Sequence, residues 1–231
     1  MLILCVIGAQ LQANPSRTTK TSSSKSVRNI STRGMDVSSF QKKINWNKVA
    51  RDSTIKFVYI RATEGKQNKD EYYKTNVSEA RKAGLLVGCY HVYSSHPTAY
   101  QQMNNMRQVV KKGDLDLIPV LDIESVHEET LYMKRVDKLL ELIEREYGVK
   151  PMIYTSINIY NKYFNNNKYK GYHFFLGQHS PKPGMDSYTL WQYTDKGCSS
   201  GISGDVDLSC FHPDRKLADI MMPKTNQKAS I

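Results

Sequence analysis

LIPVLDIESVHEETLYMKRVDKLLELIEREYGVKPMIYTS, residues 117–156, reads in turn as strand, helix and strand. The opening run from Leu117 is apolar until its closing acids. From Leu131 to Tyr147, apolar Tyr132, Val136, Leu139, Leu140, Ile143 and Tyr147 recur at spacings of three and four. Charges fill the other face, which predicts an amphipathic helix. Thr130 is placed to cap its start, and Gly148 and Pro151 to stop it. PMIYTS at 151–156 then returns to strand character. Strand, crossover helix, strand is the unit from which parallel sheets are built.

The same alternation extends both ways. Toward the N-terminus lie GMDVS at 34–38, FVYIRAT at 57–63 and LLVGCYHVYS at 85–94, with helices predicted over 72–83 and 98–112. Toward the C-terminus come HFFLGQ at 173–178, YTLWQYT at 188–194 and DVDLSCF at 205–211, without long helices between them. Several runs are continuous enough to be buried on both faces, as parallel strands are. Eight strands with helices mainly in the first half predict an α/β fold, an irregular TIM-like (β/α) barrel with reduced helices in its C-terminal half.

In such barrels functional groups collect where strands finish. Those positions hold Asp36, Asp122, Glu124 and Asp207, with Glu64 closing FVYIRATE. Burying a carboxylate costs several kcal/mol unless something compensates, so acids in apolar strands call for a reason. Asp122 and Glu124 are two apart, on one face of a strand and about 6.6 Å from each other along the backbone. Repulsion at that range favours one protonated acid beside one ionised carboxylate, the equipment of glycosidic cleavage. The alternatives are strand-end capping, ion pairing with Arg61, and a Mg²⁺ or Ca²⁺ site, though no dedicated metal loop is present. Tyr90, Tyr154, Trp191 and Tyr193 lie near Gln178 and Gln192 at these ends. Flat rings beside hydrogen-bonding groups suit a sugar, and each ring on its own equally suits core packing. No P-loop or C-x-x-C occurs.

GMDVSSFQKKINWNKV, FVYIRATEG, AGLLVGCYHVY, IPVLDIE, PMIYTS and WQYTDKG–GISGDVDLS stand in the order found in glycoside hydrolase family 25 lysozymes, which this chain resembles over about residues 34–212. The resemblance implies an irregular β/α barrel and an N-acetylmuramidase that cuts between N-acetylmuramic acid and N-acetylglucosamine in peptidoglycan. It makes Glu124 the acid/base, Asp122 its partner and Asp36 and Asp207 the flanking acids. Tyr90, Tyr154, Trp191 and Gln192 match the sugar-binding wall. Gln178 and Glu64 join them as candidate substrate-binding residues. Retention of anomeric configuration is expected, with the 2-acetamido group assisting. No cofactor or metal is expected. The chain departs from the pattern on its sixth strand, where Phe174, Phe175 and His179 replace the usual residues, and at Cys89, Val92 and Ser209.

The chain has 33 Lys and Arg against 22 Asp and Glu, a formal charge of +11. Residues 1–33 supply five of those charges and no acid, leaving +6 for residues 34–231. MLILCVIGAQLQA, 1–13, reads as a signal peptide, and 14–33 as a flexible basic Ser/Thr-rich linker. The catalytic barrel is assigned to 34–215 and a tail to 216–231. Export to a secreted or periplasmic location follows, with no stable membrane insertion once the signal is removed. The basic remainder suits peptidoglycan, an anionic wall polymer, as partner of a monomeric enzyme. The basic residues are spread rather than striped, so nucleic acid is not the expected partner. The rival reading is a wall-binding module without catalysis. Cys89 is expected as a buried thiol, and Cys198 and Cys210 as a candidate pair.

Overall fold

The computed structural model describes residues 32–126, 129–179 and 182–223. The signal and nearly all of the linker lie outside them, as do the last eight residues of the tail. The strands are β1 (Arg33–Val37), β2 (Ile55–Glu64), β3 (Asn68–Lys69), β4 (Leu86–Val92), β5 (Val120–Ile123), β6 (Met152–Ser156), β7 (Phe174–Gly177), β8 (Leu190–Gly197) and β9 (Val206–Phe211). Helices are α1 (Trp46–Val49), α2 (Tyr73–Lys82), α3 (Ala99–Val109) and α4 (Glu129–Tyr147). After β6 the chain makes only short helical turns at Ile157–Ile159, Tyr160–Phe164 and Asn167–Tyr169. Every expected strand is present, and the alternation fades where expected.

The order β1-β9-β8-β7-β6-β5-β4-β2, closed by β1 pairing with β2, makes an eight-stranded barrel, with β3 as a short addition to β2. Apart from the short antiparallel β3, neighbours from β1 through β8 run parallel, but β9 is antiparallel to both β8 and β1. The cause is the connection. Residues 198–205 join β8 to β9, whereas a parallel return needs a crossover of about a dozen residues or more. Asp207 therefore sits near the start of its strand, yet at the same barrel end as the finishes of the others.

Two apolar layers hold the barrel. Outside, Val58, Ile60, Val87, Cys89, Leu121 and Ile153 pack against Val77, Met103, Val136 and Leu140 of the helices. Inside, Phe57, Tyr59, Val120, Met152, Phe175 and Leu190 fill the interior. Rings that large fit because neighbouring strands carry glycine: a Cβ on Gly34 would strike the Phe57 ring, and one on Gly88 the Tyr59 ring.

Helix ends follow their sequence signals with one change. Thr98 and Gln101 form a reciprocal capping box on α3, and Gly84 and Gly148 end α2 and α4 at φ of 88° and 74°, conformations that favour glycine. Helix α4 begins at Glu129, so Thr130 lies inside it rather than capping it.

Both assigned domain edges move. Arg33, assigned to the linker, opens β1 and bonds Thr54 and Asp52. Ile220, assigned to the tail, is fully buried in the barrel interior, where its carbonyl accepts from Ile118 N at 2.8 Å. The candidate Cys198–Cys210 pair does not form, and all three described cysteines are free. Cys210 pairs in register with Trp191, six residues back from Gly197, roughly 20 Å along the ladder. Among the described residues no helix is long and apolar enough to cross a membrane.

Candidate active site

All four acids meet in one cleft of about 240 Å³, which Tyr90, Tyr154 and Gln192 also line. Strand β5 supplies two of them. Pro119 carries no N–H and precedes the strand, which starts at Val120 rather than Leu117. Asp122 is buried near its finish, and its backbone carbonyl accepts from Tyr93 N at 2.8 Å. Its side-chain Oδ1 has no hydrogen-bond partner. Glu124, past the strand, is exposed. Thr155 Oγ1 fixes this exit by donating to the Ile123 carbonyl at 2.7 Å.

The other two acids come from opposite ends of the chain. Asp36 and Asp207 are register partners across β1 and β9, and both line the cleft. Gln192 Nε2 donates to both oxygens of Asp36 at 3.2 Å, while its own Oε1 accepts from Tyr154 Oη at 2.8 Å. Tyr154 thus reaches Asp36 through Gln192. Tyr154 occupies its place because Gly177 has no side chain: a Cβ there would lie 2.5 Å from the Tyr154 hydroxyl.

Burial governs the charges. It pushes Asp36 well above the usual carboxylate range, with the charge of Asp207 next in importance. Asp207 is also raised by burial, against the hydrogen bond from Asp36. Asp122 is pushed well up by burial, then by Glu124 and Asp207, with Arg61 opposing. Desolvation disfavours each ionised form, and each carboxylate raises its neighbours. Together they form a proton-holding floor beneath exposed Glu124.

A second cleft of about 300 Å³ shares Glu124, Tyr154 and His179 with the first and adds Ser156, Gly177 and Gln178. Glu124 stands at their junction. Two expected residues lie elsewhere. Trp191 points away from Gln192 on the outer side of β8, where it packs edge-on to Tyr193 and donates Nε1–H to the Gln178 carbonyl. Glu64 lines a separate hollow with Lys66, Asn68 and His96. Conversely, the cleft holds His179 and Asp195, joined at 3.4 Å, which strand reading passed over. Register shifts between Gln192 and Thr194, and between Thr194 and Gly197, break the period-two alternation that placed Gln192 inside. Among the described residues there is no group of three or more His, Cys, Asp or Glu suited to holding a metal ion.

The sequence pattern of "Glycosyl hydrolases family 25" matches residues 35–202. The chain belongs to this family. As a family 25 glycoside hydrolase it is 34% identical over 189 residues to a protein of Escherichia coli strain K12 named YegX, covering 78% of this chain and 69% of that one. It is 29% identical over 202 residues to "Lysozyme M1" of Streptomyces globisporus, covering 78% and 67%. The bacterial lysozyme structure from Streptomyces coelicolor superposes with a TM-score of 0.72 at 25% identity, over 82% of this chain and 95% of that one. The barrel of this family 25 hydrolase is thus an α/β barrel of the family's kind, and two of its departures, Phe175 on β7 and His179 just beyond it, fall on the cleft wall itself.

Proposed function

We propose that this enzyme is a secreted or periplasmic lysozyme, a 1,4-β-N-acetylmuramidase acting on peptidoglycan. The observation that carries the reading is the pairing at β5: a buried carboxyl with an open oxygen, Asp122, two residues from an exposed one, Glu124, at the junction of two clefts. A glycan strand laid through both clefts puts a glycosidic oxygen beside Glu124. Relatives named lysozyme support the substrate.

Glu124 protonates the leaving oxygen and then takes a proton from water, as one residue must in a retaining reaction. The 2-acetamido carbonyl attacks the anomeric carbon, and the unpartnered Oδ1 of Asp122 accepts from the acetamido N–H. The open oxygen supports this role, since a buried acceptor without a partner is free to take the N–H. Asp36 and Asp207 hold the remaining proton beside the sugar, and the Tyr154–Gln192 relay fixes their position. Tyr90 and Tyr154 offer ring faces to the glycan.

Clearing of purified peptidoglycan, followed by turbidity, tests the proposal. Wild-type protein is expected to clear it, and Glu124→Gln to bind without clearing. Binding without clearing by the wild type would instead establish the rival wall-binding module.

A further inference from the structure

Most of the barrel's excess positive charge falls in one stretch of its sequence. Residues 147–185 contain Lys150, Lys162, Lys168, Lys170 and Lys182 and not one Asp or Glu, so five of the six excess charges of residues 34–231 belong to this stretch. It runs from the end of α4 through β6 and β7 and supplies most of the lining of a groove of about 590 Å³, completed by Ser187, Thr189 and Arg215. That groove opens at the start of β7, where Phe174 lines it, while Gly177 at the finish of the same strand and Gln178 just beyond it line the second cleft beside Glu124. The two sites face opposite ends of the barrel.

Its lining is unlike that of the acidic cleft. Lys170, Arg215 and His173 contribute cations or potential cations, Asn165 and Asn167 contribute amides, and no carboxylate is among the lining residues. Nearby acids are otherwise placed. Asp137 accepts from Tyr169 Oη at 2.7 Å and pairs with Lys168. Asp219 raises His173, but burial and then the charge of Arg215 prevail and hold it below its usual value. Asp186, next to Ser187, is fully exposed.

The walls are built rather than loose. Asn166 caps the turn at Lys168 and donates to the Tyr163 carbonyl at 2.9 Å. Tyr160 Oη donates to Ser187 Oγ at 2.7 Å, joining the two sides. Lys150 braces the half-buried Tyr172 ring from 4.7 Å. Aromatic edges and amides suit a saccharide, and cations free of competing carboxylates suit its negative groups.

We propose that this groove is a second, non-catalytic binding site for an anionic saccharide strand, with Lys170 and Arg215 meeting its phosphate or carboxylate groups. The ligand class follows from the lining and does not depend on the catalytic reading.

Isothermal titration of the full chain with soluble poly(glycerol phosphate), a polyuronate of matched length and neutral dextran tests it. Both anionic polymers, or one of them, are expected to bind and dextran not. A phosphate-only result names a phosphodiester glycan, and a polyuronate-only result a carboxylated one. Lys170→Glu/Arg215→Glu should weaken binding by about tenfold or more, the loss of two charge-assisted contacts, and leave hydrolysis of short soluble wall fragments unchanged. The control Lys56→Glu/Lys82→Glu makes the same change of net charge elsewhere. Equal weakening by the control, binding undiminished in the groove variant, equal binding of dextran, or tighter binding of single-stranded RNA at the groove would each overturn the proposal. A wild type that binds these polymers but never clears peptidoglycan would refute the catalytic reading and leave this one standing.

Discussion

Asp36 and Asp207 stand directly opposite one another in the ladder between the first and last barrel strands, and Gln192 clamps the first of them through both oxygens. Two carboxyls held this way keep a proton that isolated acids would release. The folded state therefore binds more protons than the unfolded chain above the ordinary carboxylate range. Stability from this source is fully present below the unfolded pKa and is lost as pH rises through the folded one. Asp36→Asn removes that loss and should raise Tm at pH 7 by about 2–4 °C, the shift that ~1 kcal/mol produces in a chain of this size, while lowering turnover. Calorimetry at pH 4 and pH 7 measures it. A Tm difference between variant and wild type that is the same at both values would show that no proton is held.

His91 pulls the other way. It is fully buried against Thr63 and Gln102, and burial lowers its pKa to about 4. It stays neutral in the fold where the unfolded chain would protonate, so stability falls as pH drops from about 6.5 toward 4. His91→Gln should flatten this acid limb of a Tm-against-pH curve relative to wild type, whatever its effect on Tm at neutral pH.

Glu124→Gln should cost at least about a hundredfold in kcat, the low end for losing a positioned acid/base, with Tm unchanged because the side chain is exposed. Soluble glycan fragments and a melting curve on the same preparation separate chemistry from folding.

Asp122→Asn should lower kcat far more than it raises KM, since its open oxygen matters most as the acetamido group becomes charged. A 2-fluoro sugar should leave no covalent adduct. Mass spectrometry showing one on Asp122 would replace acetamido assistance with direct attack.

Gly177→Ala should act at a distance of one side chain. Its methyl would meet Tyr154 Oη at 2.5 Å and push the ring off Gln192. Activity should fall to about the level of Tyr154→Phe, and the double variant should be little worse than either single one, because both break the same relay.

Much of this was legible in the sequence because apolar runs ending in acids are rare. The strand around Asp122 and the helix from Tyr132 to Tyr147 announce themselves by periodicity. Other features depend on relationships that no local pattern carries. Trp191 and Gln192 are adjacent, and only the alternation of β8 decides that one braces the outside while the other enters the cleft. Asp195 escaped notice because the register slips before it. The reversal of β9 is set by a short connection, and Ile220 read as tail because nothing nearby in sequence shows that it plugs the barrel.

The clamp on Asp36 joins residues 156 positions apart, and Asp207 follows Gln192 in the chain. Synthesis must pass Asp207 before these groups can meet. Until then a growing chain holds Asp122 and Glu124 without the floor beside them. The acidic floor of the cleft thereby assembles last, with the closing barrel strand. Clipping off the final strand would take Asp207 out of that floor.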